Sequence, residues 1–149
     1  VIVVGSPITG DSLNIFLRLA GRPWIASVVW QMPSALQFGI KVFSPYIVSD
    51  SSSWYKMITR DLSRTTLEAF FLSIGSLHQT DLRPQLPGIT TPVMGIYGVS
   101  DNVVQPSQAN VIAGSVPVSR IKIMSGSGHF PMLDEPEAFN QRLHSFLKI

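Results

Sequence analysis

The sequence predicts a doubly wound, mostly parallel α/β sheet, on three observations. Val1 to Val4 and Val93 to Tyr97 are apolar runs, which suits strands buried on both faces, as parallel strands are. Stretches with apolar residues at helical spacing separate and follow these runs, so strands joined by helices are expected, with right-handed crossovers placing helices on both faces. Asp101 follows the second run, and His129 follows a third strand-like segment, Arg120 to Met124. At the carboxyl ends of neighbouring parallel strands such residues can meet where open α/β sheets place their active sites.

Val1 to Val4 is the first strand. Asp11 or Ser12 can cap a helix with Leu13, Phe16, Leu17 and Ala20 on one face, and Gly21 is placed to end it. Pro23, Pro33 and Pro45 break the next stretch into short pieces, with small helices expected around Trp24 to Trp30 and Ala35 to Phe43. Ser51 to Thr59 and Thr65 to His78 read as helices, the second with Leu67, Phe70, Phe71 and Ile74 at helical spacing. Arg83 to Thr91, with Pro84, Pro87 and Gly88, is a linker back to the sheet. The strand Val93 to Tyr97, a helix from Pro106 to Ala113, the strand Arg120 to Met124 and a helix from Pro136 to Leu147 follow. On that last helix Phe139, Leu143, Phe146 and Leu147 form one apolar stripe.

Thr91, Pro92 and Val93 lead a strand, and Gly98, Val99, Ser100 and Asp101 turn out of it ahead of Val103 and Val104. Gly128, His129 and Phe130 precede Glu135, Pro136, Glu137 and Phe139, which open the final helix. This stretch resembles the C-terminal part of α/β-hydrolase-fold enzymes, in which chain order runs nucleophile, acid, histidine. The resemblance implies that Asp101 is the triad acid and His129 the general base, the histidine taking the nucleophile's proton and the carboxylate fixing its tautomer. The ordinary alternatives are a turn-capping Asp101 and a loop His129 bonded to backbone. The likeness covers residues 91–149 well and the earlier residues more loosely. It assigns residues 1–10 and 84–149 to the C-terminal part of the hydrolase core, and 11–83 to a helical cap insertion.

The family's nucleophile sits in G-x-S-x-G at a strand-to-helix elbow upstream of the acid. No such pentapeptide occurs in this sequence. Ser6 follows Gly5 directly and precedes Pro7, Ser76 follows Gly75 inside a helical pattern, and Ser127 lies between Gly126 and Gly128 in the loop that presents His129. The expectation is a C-terminal fragment of an enzyme needing on the order of 250 residues, with the nucleophile and the oxyanion donors outside these 149 residues. Ser and Asp both remain open as nucleophile, and with them ester cleavage, dehalogenation and epoxide opening. If Val1 to Val4 has lost a neighbouring strand, that edge should pair with the N-terminal half of the same fold or with a second copy.

Composition removes several function classes. Net charge is +2 with Lys and Arg scattered, too little to argue for nucleic acid or an anionic membrane. There is no Cys, which removes disulfides, thiolate metal sites and a Cys nucleophile. No cofactor or metal is called for, no apolar stretch is long enough to span a bilayer, and no signal-peptide shape opens the chain. A cytoplasmic setting agrees with these observations without following from them. His78 and His144 lack a chemical partner in the pattern, while Asp134 and Glu135 read as the cap and first-turn charges of the last helix.

Between Pro23 and Tyr55 the only charges are Lys41 and Asp50, yet Trp24, Trp30, Phe38, Phe43, Tyr46, Trp54 and Tyr55 all fall there. Most are expected to be core of a cap packed on the sheet. The remainder would line a lid selecting an apolar acyl or alcohol group, with Trp24, Trp30, Phe38, Trp54 and Phe130 the candidates for substrate contact. The function expected is an esterase-like hydrolase of an apolar small-molecule substrate. The alternative is a non-catalytic product that binds an apolar ligand or a partner protein through its aromatic cap.

Overall fold

The computed structural model describes residues 1–22, 24 and 33–148. Among them, three strands form one parallel sheet in the order β1 (Ile2–Val4), β2 (Val93–Gly98), β3 (Ser119–Met124). Ile2 lies opposite Met94, and Met94 opposite Arg120. All six residues of β2 are buried, as the apolar run requires. β3 is exposed at Arg120, Lys122 and Ile123, and so behaves as an edge.

Alternation along β2 feeds two cores. Val93 and Tyr97 point to one face, where they pack with Ala109, Ile112 and Val116 in and just after helix α5 (Gln108–Ser115) and with Ile8, Leu13, Leu86 and Val104. Met94 and Ile96 point to the other, where with Met124 they are covered by Phe139, Leu143 and Phe146 of α7 (Pro136–Leu147). Each fully buried Ile, Val or Met contributes roughly 1.5–3 kcal/mol of transfer free energy, so helices on both faces follow from the strand's alternation. The stripe on α7 ends sooner than its spacing suggests, because Leu147 is 50% exposed.

The segment between β1 and β2 is helical: α1 (Ile15–Ala20), α2 (Pro33–Phe43), α3 (Ser51–Leu62) and α4 (Leu67–Gln79). The cap of α1 is Asn14, whose side chain accepts from the Phe16 amide, and neither Asp11 nor Ser12, both of which lie in a 3-10 turn. The physical reason is Leu13, which bridges to Val104 and is buried in the sheet's first cluster, so the chain cannot turn helical until it has passed. Asp50 and Thr66 cap α3 and α4 through their side chains.

The aromatic segment differs from the expectation of buried core. Trp54 is 5% exposed, but Trp24, Phe38, Phe43 and Tyr46 are exposed, Phe38 to 70%. The expected helix around Trp24 to Trp30, and Trp30 itself, lie outside the described residues. Among the described residues no helix is long and apolar enough to cross a membrane.

Candidate active site

Asp101 and His129 each follow a strand of the sheet, β2 and β3, and their side chains meet. The Asp101 Oδ2 and His129 Nδ1 atoms are 2.9 Å apart. The Asp101 side chain has no exposed surface, and that of His129 is 20% exposed. Asp101 Oδ1 accepts from the Val103 and Val104 amides at 2.8 and 2.9 Å, bonds that need Asp101 as an acceptor and fix the carboxylate's plane. An ionised carboxylate can only accept, so Nδ1 carries the proton and Nε2 is left as the basic nitrogen. Burial pushes the Tyr97 phenol up to about 12, with the negative charge of Asp101 adding to the shift. The neutral phenol donates to the Ser6 carbonyl at 2.9 Å, holding the turn after β1 beneath the pair.

The loop carrying His129 runs hard against the sheet. A Cβ on Gly98 would stand 2.0 Å from the Gly128 carbonyl oxygen and 2.4 Å from that of Ser127, so only glycine lets the loop cross the end of β2. Gly128 meets the same restriction from the other side, where a Cβ would lie 2.5 Å from the Ile47 carbonyl oxygen. The His129 amide donates to that oxygen at 3.1 Å.

Asp134 and Glu135 do something other than cap the last helix. Asp134 closes the short helix α6 (Pro131–Asp134), and its Oδ2 accepts from the Gly128 amide at 2.8 Å while Oδ1 accepts from the Ser49 amide at 2.7 Å. Glu135 precedes α7, but its side chain turns back to accept from the Gly126 amide and the Ser127 hydroxyl. What the sequence shows is two carboxylates a few residues after a Gly-rich loop, whose amides need acceptors; which amides they take depends on the fold.

Of the residues expected to contact substrate, Phe130 and Trp54 stand beside the pair. The Phe130 ring is 4.8 Å from that of His129, edge to face, and 6.1 Å from that of Trp54. Trp24 and Phe38 lie on exposed surface. His78 and His144 are elsewhere, His78 with its ring 3.5 Å from the Gly10 carbonyl oxygen. Ser6, next to the Gly5 backbone that packs on the His129 ring, donates its hydroxyl to the Val4 carbonyl. Ser127 gives its own to Glu135. Among the described residues no cluster of His, Asp and Glu has the makings of a metal site.

No protein-family model matches the chain. Its sequence is 26% identical over 116 residues to 3-oxoadipate enol-lactonase 2 of Acinetobacter baylyi, covering 78% of this chain and 43% of that protein. It is 33% identical over 79 residues to a pimeloyl-[acyl-carrier protein] methyl ester esterase of Vibrio vulnificus, covering 53% and 31%. The chain thus spans less than half the length of these curated relatives. Among solved structures, the esterase EaEST of Exiguobacterium antarcticum superposes with a TM-score of 0.78 at 21% identity, over 99% of this chain and 56% of its own. MGS-M2, an alpha/beta hydrolase enzyme from a Medee basin deep-sea metagenome library, gives 0.70 at 18% identity, over 99% and 55%.

Proposed function

We propose that this chain, which has the α/β-hydrolase fold, supplies the acid, the general base and the cap of an esterase-like hydrolase acting on an apolar ester or acyl substrate. The observation that carries the proposal is the buried Asp101 carboxylate 2.9 Å from His129 Nδ1 at the carboxyl edge of the sheet. With Nδ1–H given to Asp101, Nε2 takes the proton of an attacking nucleophile and returns it to the leaving group, and Asp101 stabilises the imidazolium formed between the two steps. Relatives named for an enol-lactone and a methyl ester support cleavage of an acyl–oxygen bond. Phe130, against the imidazole and next to Trp54, supports an apolar group near the base.

The nucleophile, in this reading, belongs to a G-x-S-x-G or G-x-D-x-G segment outside these 149 residues, together with the oxyanion donors. Ser6, next to the Gly5 backbone that packs on the His129 ring, and Ser127, in the histidine loop, donate their hydroxyls to other acceptors. β1 pairs with β2 on one side, and its other edge is assigned to a strand of that nucleophile-bearing segment or of a second copy.

Turnover of a short p-nitrophenyl ester tests the proposal. The 149-residue chain alone is expected to show none above background, and the product of its whole gene is expected to turn over, with loss on His129→Ala. Turnover by the chain alone, abolished by the same substitution, would put the nucleophile inside it. Silence of the whole gene product toward esters would overturn the ester assignment.

A further inference from the structure

We propose that Asp134 is a positioning residue that ties the cap to the general base, a role that rests on His129 acting as described above. The two oxygens of its carboxylate take two amides from different parts of the molecule, Gly128 of the histidine loop at 2.8 Å and Ser49 of the cap at 2.7 Å. Between those two bonds the His129 amide donates to the Ile47 carbonyl oxygen at 3.1 Å. The turn at residues 47–49 and the loop at 128–129 are therefore held by three hydrogen bonds, two of them made by one ionised group.

Residues 126–129 belong to no strand or helix, and the amides of Gly126, Gly128 and His129 find their acceptors in Glu135, Asp134 and Ile47. Glu135 takes Gly126 and the Ser127 hydroxyl from within the same stretch of chain, which shapes the loop but reaches no other element. Of the two carboxylates that bond this loop among the described residues, Asp134 is the one that also bonds the cap, beside the backbone bond from His129 to Ile47. Hydrogen bonds to a charged acceptor contribute more than neutral ones, and two on one carboxylate hold the loop in one arrangement. Displacing the cap pulls directly on the residue before the base, and small errors in the placement of a base are costly in rate. Asp134 thus makes the orientation of His129 toward Asp101 depend on a docked cap.

The test compares Asp134→Ala, the isosteric Asp134→Asn and the parent chain by NMR and amide exchange, and the same substitutions in the whole gene product by kinetics. Expected are exchange at Gly128 and Ser49 faster by about tenfold or more, as loss of a charge-assisted bond implies, and a broadened or lost downfield Nδ1 proton signal of His129. Expected in turnover is a fall in kcat with KM nearly unchanged. The Asn variant, keeping one acceptor oxygen, should fall between parent and Ala. An unchanged Nδ1 proton signal in folded variants would overturn the proposal, as would failure of both variants to fold, which would make Asp134 a stability residue. The proton signal needs no turnover: an intact Asp134 effect in a protein that cleaves no ester would defeat the ester reading and leave the positioning role standing.

Discussion

His129 is held from two sides that are built differently. On the sheet side every residue of β2 is buried, the Asp101 side chain is wholly enclosed, and the histidine loop crosses Gly98 without room for a methyl group. On the other side, that of the helical segment proposed above as a cap, contact with the histidine loop comes from residues 47–49 and from Trp54 on Phe130, while Phe38, Phe43 and Tyr46 remain exposed. A sheet that buries its middle strand sets the acid against the base through backbone and packing. Among the described residues this side reaches the base through a few discrete hydrogen bonds and the Trp54–Phe130 contact, and regions held that way open more easily.

The largest effect expected lies on the sheet side. In Asp101→Asn the side-chain oxygen can keep the Val103 and Val104 amides, but its NH₂ then faces His129 Nδ1. The imidazole must offer a lone pair there and carry its proton on Nε2, where the base is needed. In the whole gene product kcat should fall about 10⁴-fold with folding preserved, as loss of the correct tautomer does in triads generally. Activity within about tenfold of the parent would show that His129 works without this partner, and that the sheet side does not dominate.

The same contrast explains what could be read from the sequence. Val93 to Tyr97, Asp101 and His129 were legible because a parallel strand and the turn leaving it impose residue types on consecutive positions, and the periodicity of α7 was equally plain. Leu13 was read onto a helix face because it sits at helical spacing with Phe16 and Leu17, but tertiary burial against Val104 took precedence. Asp134 and Glu135 were read as helix caps because proximity in sequence suggests local bonds. Their partners at Ser49, Gly126 and Gly128 depend on where loops cross, which no spacing encodes. The cap aromatics mislead for a related reason, since aromatic content does not say which rings face a neighbour: Trp54 is buried while Phe38, Phe43 and Tyr46 are exposed.

Gly98→Ala is the next largest expected effect. The new methyl group would overlap two carbonyl oxygens of the backbone, which cannot give way as a side-chain tip could. A loss of about 3 kcal/mol is expected from overpacking of this kind, measured by chemical denaturation, with the Asp101–His129 contact disturbed in what remains folded. A loss below about 1 kcal/mol would mean that the histidine loop is free to lift off the sheet.

Trp54→Phe probes the buried aromatic of the cap that meets Phe130. Trp54 is 5% exposed, and its indole nitrogen has no hydrogen-bond partner among the described residues. Phe removes some buried area but also removes a buried donor whose lack of a partner costs roughly 1–3 kcal/mol. The two changes oppose each other, and stability is expected to shift by less than about 1 kcal/mol, within the range of modest core swaps. A loss of about 2 kcal/mol or more would reveal that the indole N–H is satisfied in solution, for instance by water.

The smallest effect falls in the cap and has the opposite sign. Gly39 lies inside α2, and a Cβ built there meets nothing within 4 Å among the described residues. Gly39→Ala removes the entropy cost of a glycine in a helix without touching a neighbour, a gain of roughly 0.5–1 kcal/mol, or about 2 °C in melting temperature for a chain of this size. Its value is in the pairing with Gly98, the same substitution made where the methyl has no room. If the sheet grips and the cap only touches, one Gly→Ala change should destabilise strongly and the other stabilise slightly. A marked destabilisation by Gly39→Ala would show that α2 packs against something in solution, and the contrast between the two sides of His129 would shrink accordingly.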